Sequence, residues 1–182
     1  MKEVQLKTFN NAWFNPGNPV KRFVWYFVNL FFFKNHLFPF YSLKRTLLKC
    51  FGARIGKGVV IKPNVNIKYA WNLSIGDYTW IGENVWIDNL GRVSIGNNVC
   101  ISQGALLLTG NHDFTSSSFD LIVKPIDIHD GVWVGAKSVV CPGATLETHA
   151  VLTVGSVCIG VLSPYTIYRG NPALPEKKRT LV

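Results

Sequence analysis

Cysteine is scarce in this chain and is not spaced for a structural site. Four cysteines occur among 182 residues, and no two of them form a C-x-x-C pair, the spacing found in zinc sites and redox motifs. They are Cys50, Cys100, Cys141 and Cys158. A disulfide framework and a cysteine-based metal site are therefore excluded, and free thiols are typical of a reducing compartment.

Acidic residues are also few, and they are almost absent from the front of the chain. The chain has 19 Lys and Arg against 10 Asp and Glu, a net charge of +9. Residues 1–76 contain 12 of the basic residues and a single acid, Glu3. Nucleic acid is not favoured as a partner, because no helix-turn-helix, zinc or RNA-binding pattern accompanies the charge. An anionic membrane surface or a phosphate-bearing substrate fits the basic front better.

No apolar run is long enough to span a membrane. The aromatic run at residues 23–33 is 11 residues long and contains Asn29, whereas a transmembrane helix needs about 20 apolar residues. Residues 1–20 are polar and include Pro16 and Pro19, so the apolar region of a signal peptide is not evident. We therefore expect a cytoplasmic protein whose basic, aromatic front would be the part that contacts the inner face of the plasma membrane.

What the chain does contain is a repeat with a period of six residues. A period of six matches neither a helix nor a hairpin meander, and it predicts a short strand, a corner and a stacked coil, repeated as a parallel β-solenoid. Ile-Gly pairs at 55, 75 and 95 are 20 residues apart, which indicates one coil of three hexads with a two-residue corner insertion. The inward positions are 55, 61, 67, 75, 81, 87, 95, 101 and 107 and, after a break, 128, 134, 140, 146, 152 and 158.

Five short motifs stand out within this repeat: Ile55–Val59, Ile95–Val99, Gly131–Ala136, Pro142–Ala144 and Gly170–Ala173. With them, roughly residues 50–175 resemble the hexapeptide-repeat acyltransferases. The resemblance implies a mainly β fold, a left-handed parallel β-helix. It also implies a homotrimer, with acetyl-CoA as co-substrate and no permanently bound cofactor.

Two further segments, residues 80–89 and 110–114, are most similar to the sugar O-acetyltransferases of polysaccharide biosynthesis, in particular the colanic acid group. This similarity implies transfer of an acetyl group from acetyl-CoA to a sugar hydroxyl during exopolysaccharide synthesis, with a sugar or a lipid-linked oligosaccharide as acceptor. Two alternatives are a non-catalytic solenoid scaffold and a γ-class carbonic anhydrase. The latter is disfavoured, because its zinc needs an H-x₄-H pair that the chain lacks.

The chain is expected to have three parts: an aromatic and basic, partly helical segment at 1–50, the β-helix at 51–175 with an extruded loop at about 108–125, and a basic tail at 176–182. Two roles are open for the first part. It would cap the first coil or pack on a subunit, because the terminal strands of a solenoid must be covered. Alternatively, it would lie in a membrane interface.

The chemistry is expected on the loop where the repeat breaks, because loops on a rigid scaffold commonly carry function. The resemblance makes His112 on this loop the general base. A sugar hydroxyl is a poor nucleophile until a base takes its proton, and an imidazole does so when its other nitrogen donates to a fixed acceptor. Asp113 or a backbone carbonyl would be that acceptor. The other histidines, His36, His129 and His149, are interpreted as structural or exposed.

In the resembling family, acetyl-CoA lies in a groove between adjacent subunits. Repeat geometry alone would also explain the small residues of this region, since they permit close backbone approach. Relatives carry Thr-Lys where this chain has the Ile159-Gly160 turn, which leaves acyl carrier protein open as an alternative donor. The matching donor-site positions are Trp133, Gly135, Ala136, Val154, Gly155, Ser156, Ile159 and Lys177. Lys177, with Lys178 and Arg179, is expected to meet the 3′-phosphate of CoA, although a terminal basic run is usually solvated.

The acceptor site is expected near a corner shortly before the loop. The resemblance places acceptor-binding residues at Asp88 and Asn89, together with Asn111 and Asp113 on the loop itself. Asp-Asn is also ordinary turn chemistry, so both interpretations of Asp88 and Asn89 are open.

Overall fold

The architecture is taken from a computed structural model, which describes residues 3–182. It is a prism of six coils whose short parallel strands form three sheets, here called faces A, B and C. Face A contains β1 (Arg54–Ile55), β4 (Leu73–Ile75), β7 (Val93–Ile95), β12 (Ile126–Ile128), β15 (Thr145–Leu146) and β18 (Val161–Leu162). Face B contains β2 (Val60–Ile61), β5 (Trp80–Ile81), β8 (Cys100–Ile101), β13 (Trp133–Val134), β16 (Val151–Leu152), β19 (Thr166–Gly170) and β20 (Ala173–Lys178). Face C contains β3 (Asn66–Ile67), β6 (Trp86–Asp88), β9 (Leu106–Leu108), β14 (Val139–Val140) and β17 (Val157–Cys158).

The six-residue repeat corresponds to the inside of the prism. Every predicted inward position, from Ile55 at 8% exposure to Cys158 at 0%, is buried in one continuous core. Ile95 is in register with Ile128, and Ile128 with Leu146 eighteen residues later. The two-residue insertion of the first coils lies at the corner between faces C and A, so the predicted coil length is confirmed.

The Ile-Gly corners need glycine because the next coil packs closely against them. A Cβ on Gly76 would lie 2.6 Å from Asn97 Oδ1, the atom that accepts a hydrogen bond from Asp77 N at 2.7 Å. His129 occupies the same corner one coil above Gly96, and the following coil has Thr148 where the earlier coils have Asp or Asn; the Thr148 hydroxyl donates to Asp130 O at 3.0 Å. His129 is therefore a variation of the corner.

The front of the chain folds as helices over the first coil. Besides short 3-10 turns at Leu6–Thr8 and Ala70–Asn72, it contains α1 (Pro19–Val28), a π-helical turn (Asn29–Phe33) and α2 (Tyr41–Cys50). None of the helices within residues 3–182 is long and apolar enough to cross a membrane.

These helices cover the open end of the solenoid and satisfy its backbone. Trp25 Nε1 donates to Ile67 O at 2.9 Å, Lys44 Nζ to Lys62 O at 3.0 Å, and an Arg45 guanidinium N–H to Val59 O at 2.8 Å. The side chains of Trp25, Phe33 and Leu48 are buried in the same core. Burial lowers the pKa of Lys44 to about 8, because desolvation disfavours the ammonium form.

Candidate active site

The extruded loop is a β-hairpin at the edge between faces C and A. Its strands are β10 (Gly110–His112) and β11 (Leu121–Val123), and His112 is in register with Leu121. Thr109 anchors its base: the buried hydroxyl donates to Asp88 O at 3.0 Å and accepts from Gly91 N at 2.9 Å. The hairpin therefore projects from a fixed root beside Asp88.

His112 is held in one orientation by its neighbours on the hairpin. Its Nδ1 lies 2.8 Å from the backbone oxygen of Phe119, and its ring stacks on the Phe119 ring with centroids 4.3 Å apart and planes 8° apart. A carbonyl oxygen can only accept, so Nδ1 carries the proton in neutral imidazole. Nε2 is then left with its lone pair.

Asp113 is not the partner that orients His112. Its Oδ1 accepts from the Thr115 hydroxyl at 2.6 Å and from Thr115 N at 2.9 Å, and these bonds hold the pKa of Asp113 below its usual value. Asn111 Oδ1 accepts from His112 N at 2.8 Å. Both residues shape the hairpin through these bonds, and the acceptor for Nδ1 is a backbone carbonyl.

Residues before α1 also reach the hairpin. Gln5 N donates to Ser117 O at 2.8 Å, and the Phe9 ring lies 5.7 Å from the imidazole, tilted by 55°. His112 is thus contacted by two phenylalanine rings, from Phe9 and Phe119. Neither residue stands out in the sequence, because the repeat does not extend to them.

The two predicted acceptor residues at the corner differ in environment. Asp88 Oδ1 is buried, lies 3.0 Å from Lys68 Nζ and meets no well-oriented hydrogen-bond donor. Asn89 is fully buried, and its amide accepts from Tyr69 N at 3.0 Å and donates to Tyr69 O at 2.7 Å. The expectation that Asn89 binds an acceptor is corrected, because its side chain is used within the corner. Asp88 stays a candidate.

Most of the predicted donor residues collect at another edge, between faces B and C, whereas the Ile159-Gly160 turn joins β17 to β18 at the edge between faces C and A. Trp133 is 48% exposed and donates from Nε1 to Ser102 Oγ at 2.9 Å. It lines a cavity of about 440 Å³ together with Trp80. Higher on this edge, Gly155 N donates to Ala136 O at 2.9 Å, so the predicted positions on two coils are neighbours.

Along this edge, small residues serve two purposes. A Cβ on Gly135 would lie 2.5 Å from Val154 N, so this glycine is required by the packing of coils. Gly155 faces open space, and Val154 is 70% exposed. The open part of the edge therefore begins above Gly135.

The side chain of Ser156 lies inside the fold, so its place at the donor site stays a prediction that concerns its backbone. Ser156 is 1% exposed, and its hydroxyl accepts from Gly170 N at 3.0 Å and lies 3.0 Å from Thr153 Oγ1. The hydroxyl is used inside the fold, so its side chain is not available to a bound donor.

The C-terminal residues extend the prism. β20 pairs antiparallel with β19 and crosses the boundary expected at residue 175. Lys178 Nζ donates to Thr166 Oγ1 at 3.0 Å, and an Arg179 guanidinium N–H to Gly131 O at 2.9 Å. Lys177 is exposed, so it is the freest of the three predicted phosphate contacts.

No family model matches the chain. It is 37% identical over 166 residues to the putative colanic acid biosynthesis acetyltransferase WcaF of Escherichia coli, covering 91% of both proteins. It is 30% identical over 142 residues to the galactoside O-acetyltransferase of Escherichia coli, covering 76% of this chain and 70% of that enzyme.

Solved structures give the same fold. A hexapeptide-repeat acetyltransferase of Vibrio cholerae matches with a TM-score of 0.80 at 23% identity, covering 88% of this chain and 92% of that one. The predicted fold class, a mainly β, parallel β-helix of the left-handed type, is confirmed. Because the sequence match also extends over 91% of the chain, the chain belongs to the hexapeptide-repeat acetyltransferase family.

Proposed function

We propose that the protein transfers an acetyl group from acetyl-CoA to a hydroxyl of a sugar during exopolysaccharide biosynthesis, with His112 as general base. The observation that carries this proposal is the contact between His112 Nδ1 and Phe119 O at 2.8 Å. It leaves Nε2 as the basic atom, on a hairpin that projects from a rigid prism. The relative named for colanic acid biosynthesis supports an exopolysaccharide acceptor.

The reaction that follows from this arrangement is a direct transfer. Nε2 takes the hydroxyl proton while the sugar oxygen attacks the thioester carbonyl carbon. The tetrahedral intermediate collapses with cleavage of the C–S bond, and the imidazolium returns its proton to the leaving sulfur. The products are a sugar acetate ester and CoA with a free thiol. General-base assistance contributes about 10²–10⁴-fold, and alignment of the two substrates supplies more.

The donor is proposed to bind at the edge between faces B and C. Trp133, Ala136 and Gly155 would line its pantetheine arm, and Lys177 would meet a phosphate. Structures of a Vibrio cholerae relative with acetyl-CoA and of a galactoside acetyltransferase with CoA support a CoA donor. Acyl carrier protein stays an alternative, because the Ile159-Gly160 turn is apolar and open.

A homotrimer is part of this proposal. His112 is on the edge between faces C and A, whereas Trp133, Ala136 and Gly155 are on face B or on the edge between faces B and C. A second copy that sets its donor edge beside this hairpin would complete one site. Mixing His112→Ala with Ala136→Trp, each inactive alone, should then restore activity in mixed oligomers. Failure to restore it, or an active monomer in light scattering, would contradict a shared site.

The test of the function is thiol release from acetyl-CoA with a panel of sugars, followed by mass spectrometry of the acetylated product. Acetyl-CoA and acetyl-loaded acyl carrier protein would be compared as donors. Sugar-dependent release of thiol is the expected result. If no sugar or lipid-linked saccharide stimulates release with either donor, the non-catalytic scaffold is favoured.

A further inference from the structure

A cavity of about 580 Å³ lies between α1 and face C. Its lining combines three cations, Arg22, Lys34 and Lys68, with the carboxylate of Asp88 and the aromatic rings of Tyr26 and Trp86. No role assigned so far uses the helix side of this cavity.

The wall formed by α1 is fixed in place. Asn29, 8% exposed, donates from Nδ2 to Asn66 Oδ1 at 2.8 Å and accepts from Ile67 N at 3.3 Å. Trp25 adds its bond to Ile67 O. Arg22 and Lys34 are therefore carried by a helical segment that is hydrogen-bonded to β3, so the shape of the cavity does not depend on a loop.

The charges in the cavity are not balanced. Among residues 3–182, no carboxylate lies within 4.0 Å of the side-chain nitrogens of Arg22 or Lys34, whereas Lys68 is paired with Asp88. Three cations and one carboxylate leave two positive charges, both at the helix end. An arginine and a lysine without acidic partners are suited to a phosphate group.

The sheet end of the cavity has a different chemistry. An ionised carboxylate can only accept hydrogen bonds, and the buried Asp88 Oδ1 has no well-oriented donor. A sugar hydroxyl supplies such a donor. Trp86, 45% exposed, presents an aromatic face in the same cavity. The cavity therefore offers phosphate-binding groups at one end and saccharide-binding groups at the other.

We propose that this cavity binds the glycosyl phosphate of a lipid-linked sugar, with Arg22 and Lys34 on the phosphate and with Trp86 and Asp88 on the saccharide. The inference rests on the proposed function and specifies its acceptor: a sugar joined to lipid through phosphate. Along α1 and the π-helical turn that follows it, Phe23, Phe27 and Phe31 form an aromatic ridge, exposed at 66%, 41% and 59%, and Phe23 also lines the cavity. That ridge would contact the lipid.

The position of the cavity relative to His112 is compatible with this acceptor. Asp88 pairs with Leu108 on the next strand, and His112 follows four residues later. Neighbouring strands are about 4.8 Å apart and each residue adds at most about 3.5 Å, so the two Cα atoms lie within about 20 Å. A bound oligosaccharide would thus extend from the cavity towards the hairpin.

The test compares two acceptors that carry the same oligosaccharide: one linked to farnesyl diphosphate, and its methyl glycoside, which lacks both the diphosphate and the farnesyl chain. Arg22→Gln/Lys34→Gln should raise the KM for the diphosphate-linked acceptor at least about tenfold and leave the KM for the methyl glycoside unchanged. Arg54→Gln/Lys49→Gln, which removes two exposed cations outside the cavity, should change neither. Equal effects on both acceptors, or no effect, would overturn the proposal.

Binding by calorimetry separates this inference from the proposed function. If no variant transfers acetyl groups, the proposed function fails, but weaker binding of the diphosphate-linked probe to Arg22→Gln/Lys34→Gln would still support the site. Displacement of the probe by CoA would assign the cations to the donor instead. If Arg22→Gln/Lys34→Gln no longer sedimented with phosphatidylglycerol vesicles but still bound the probe, the two cations would be assigned to a phospholipid head group. Either result would overturn the proposal.

Discussion

The Nδ1 atom of His112 lies 2.8 Å from the carbonyl oxygen of Phe119. Phe119 adopts a left-handed backbone conformation, with φ of 55°, and its ring also stacks on the imidazole. One residue thus sets both the tautomer and the plane of the proposed base. Because the carbonyl belongs to the main chain, this orientation does not depend on a second titrating side chain.

The first prediction concerns His112 itself. His112→Ala should lower turnover by about 10²-fold or more, since the hydroxyl would lose its proton acceptor. The binding of CoA measured by calorimetry and the melting temperature should stay nearly unchanged, because the hairpin is outside the core. His36→Ala, an exposed histidine, is the matched control. Retained turnover in His112→Ala would move catalysis to another group.

Phe9 is predicted to position the base. Phe9→Ala removes one of the two rings that contact His112, and the resulting freedom of the imidazole should lower kcat by about tenfold, within the 10²-fold that a misplaced group costs. The KM for acetyl-CoA should not change, and Phe9→Leu should recover part of the loss. Phe114→Ala, on the same hairpin and 78% exposed, is the control. An unchanged kcat in Phe9→Ala would assign Phe9 to packing only.

A substitution at Ser156 tests whether its hydroxyl binds the donor or stabilises the fold. Ser156→Ala leaves the partly buried Gly170 N without its acceptor, so the free energy of unfolding should fall by about 1 kcal/mol, measured by chemical denaturation. The KM for acetyl-CoA should match the wild type. Ser163→Ala, at an exposed position, should change neither quantity. A raised KM with unchanged stability would place the Ser156 hydroxyl at the donor site.

Lys44 should make stability depend on pH. Its pKa is lowered from 10.5 to about 8 by burial, so between these values the unfolded chain binds more protons than the folded protein. The free energy of unfolding therefore rises with pH across this window, by at most about 3 kcal/mol. Lys44→Met removes this titration.

The measurement is the wild-type free energy of unfolding minus that of Lys44→Met, taken from pH 7 to 11 by denaturation. This difference should be flat below about pH 8 and should rise up to about pH 10.5. Lys49→Met, an exposed lysine of the same helix, should give a flat difference throughout. Parallel curves for the wild type and Lys44→Met would mean that Lys44 titrates normally.

The repeat made the core predictable, whereas the site depended on contacts that no local pattern records. Positions such as Ile61 and Cys158 follow from the period, because each coil repeats the same inward geometry. Asp88 and Asn89 are adjacent and similar in type, yet one lines a cavity and the other is buried with its amide satisfied. The contact of Phe9 with His112 joins distant parts of the chain, so only the fold reveals it.

The aromatic run at 23–33 shows the same limit. In the sequence, all the aromatic residues of this run fit either a cap or a membrane contact. In the structure, the helical segment buries some of them and exposes the others. Phe33 is fully buried and packs on Trp25 with ring centroids 5.4 Å apart. In the aromatic ridge, by contrast, Phe23 and Phe27 are 5.1 Å apart and Phe27 and Phe31 are 6.4 Å apart. Capping and an exposed ridge therefore coexist in one helical segment.

The last prediction is that the aromatic ridge and the basic residues around it bind anionic membranes. Apolar insertion and charge attraction should act together, with about 1 kcal/mol from each basic residue near the surface, so binding should weaken as salt rises. Changing Phe23, Phe27 and Phe31 to Ser should abolish co-sedimentation with anionic liposomes without altering the melting temperature, because these rings lie outside the core.

Leu37→Ser, 89% exposed and outside the ridge, is the control. Equal sedimentation of the triple variant and the wild type, or no sedimentation at low salt, would contradict the membrane role. A change of oligomeric state in light scattering would instead make the ridge a contact between subunits.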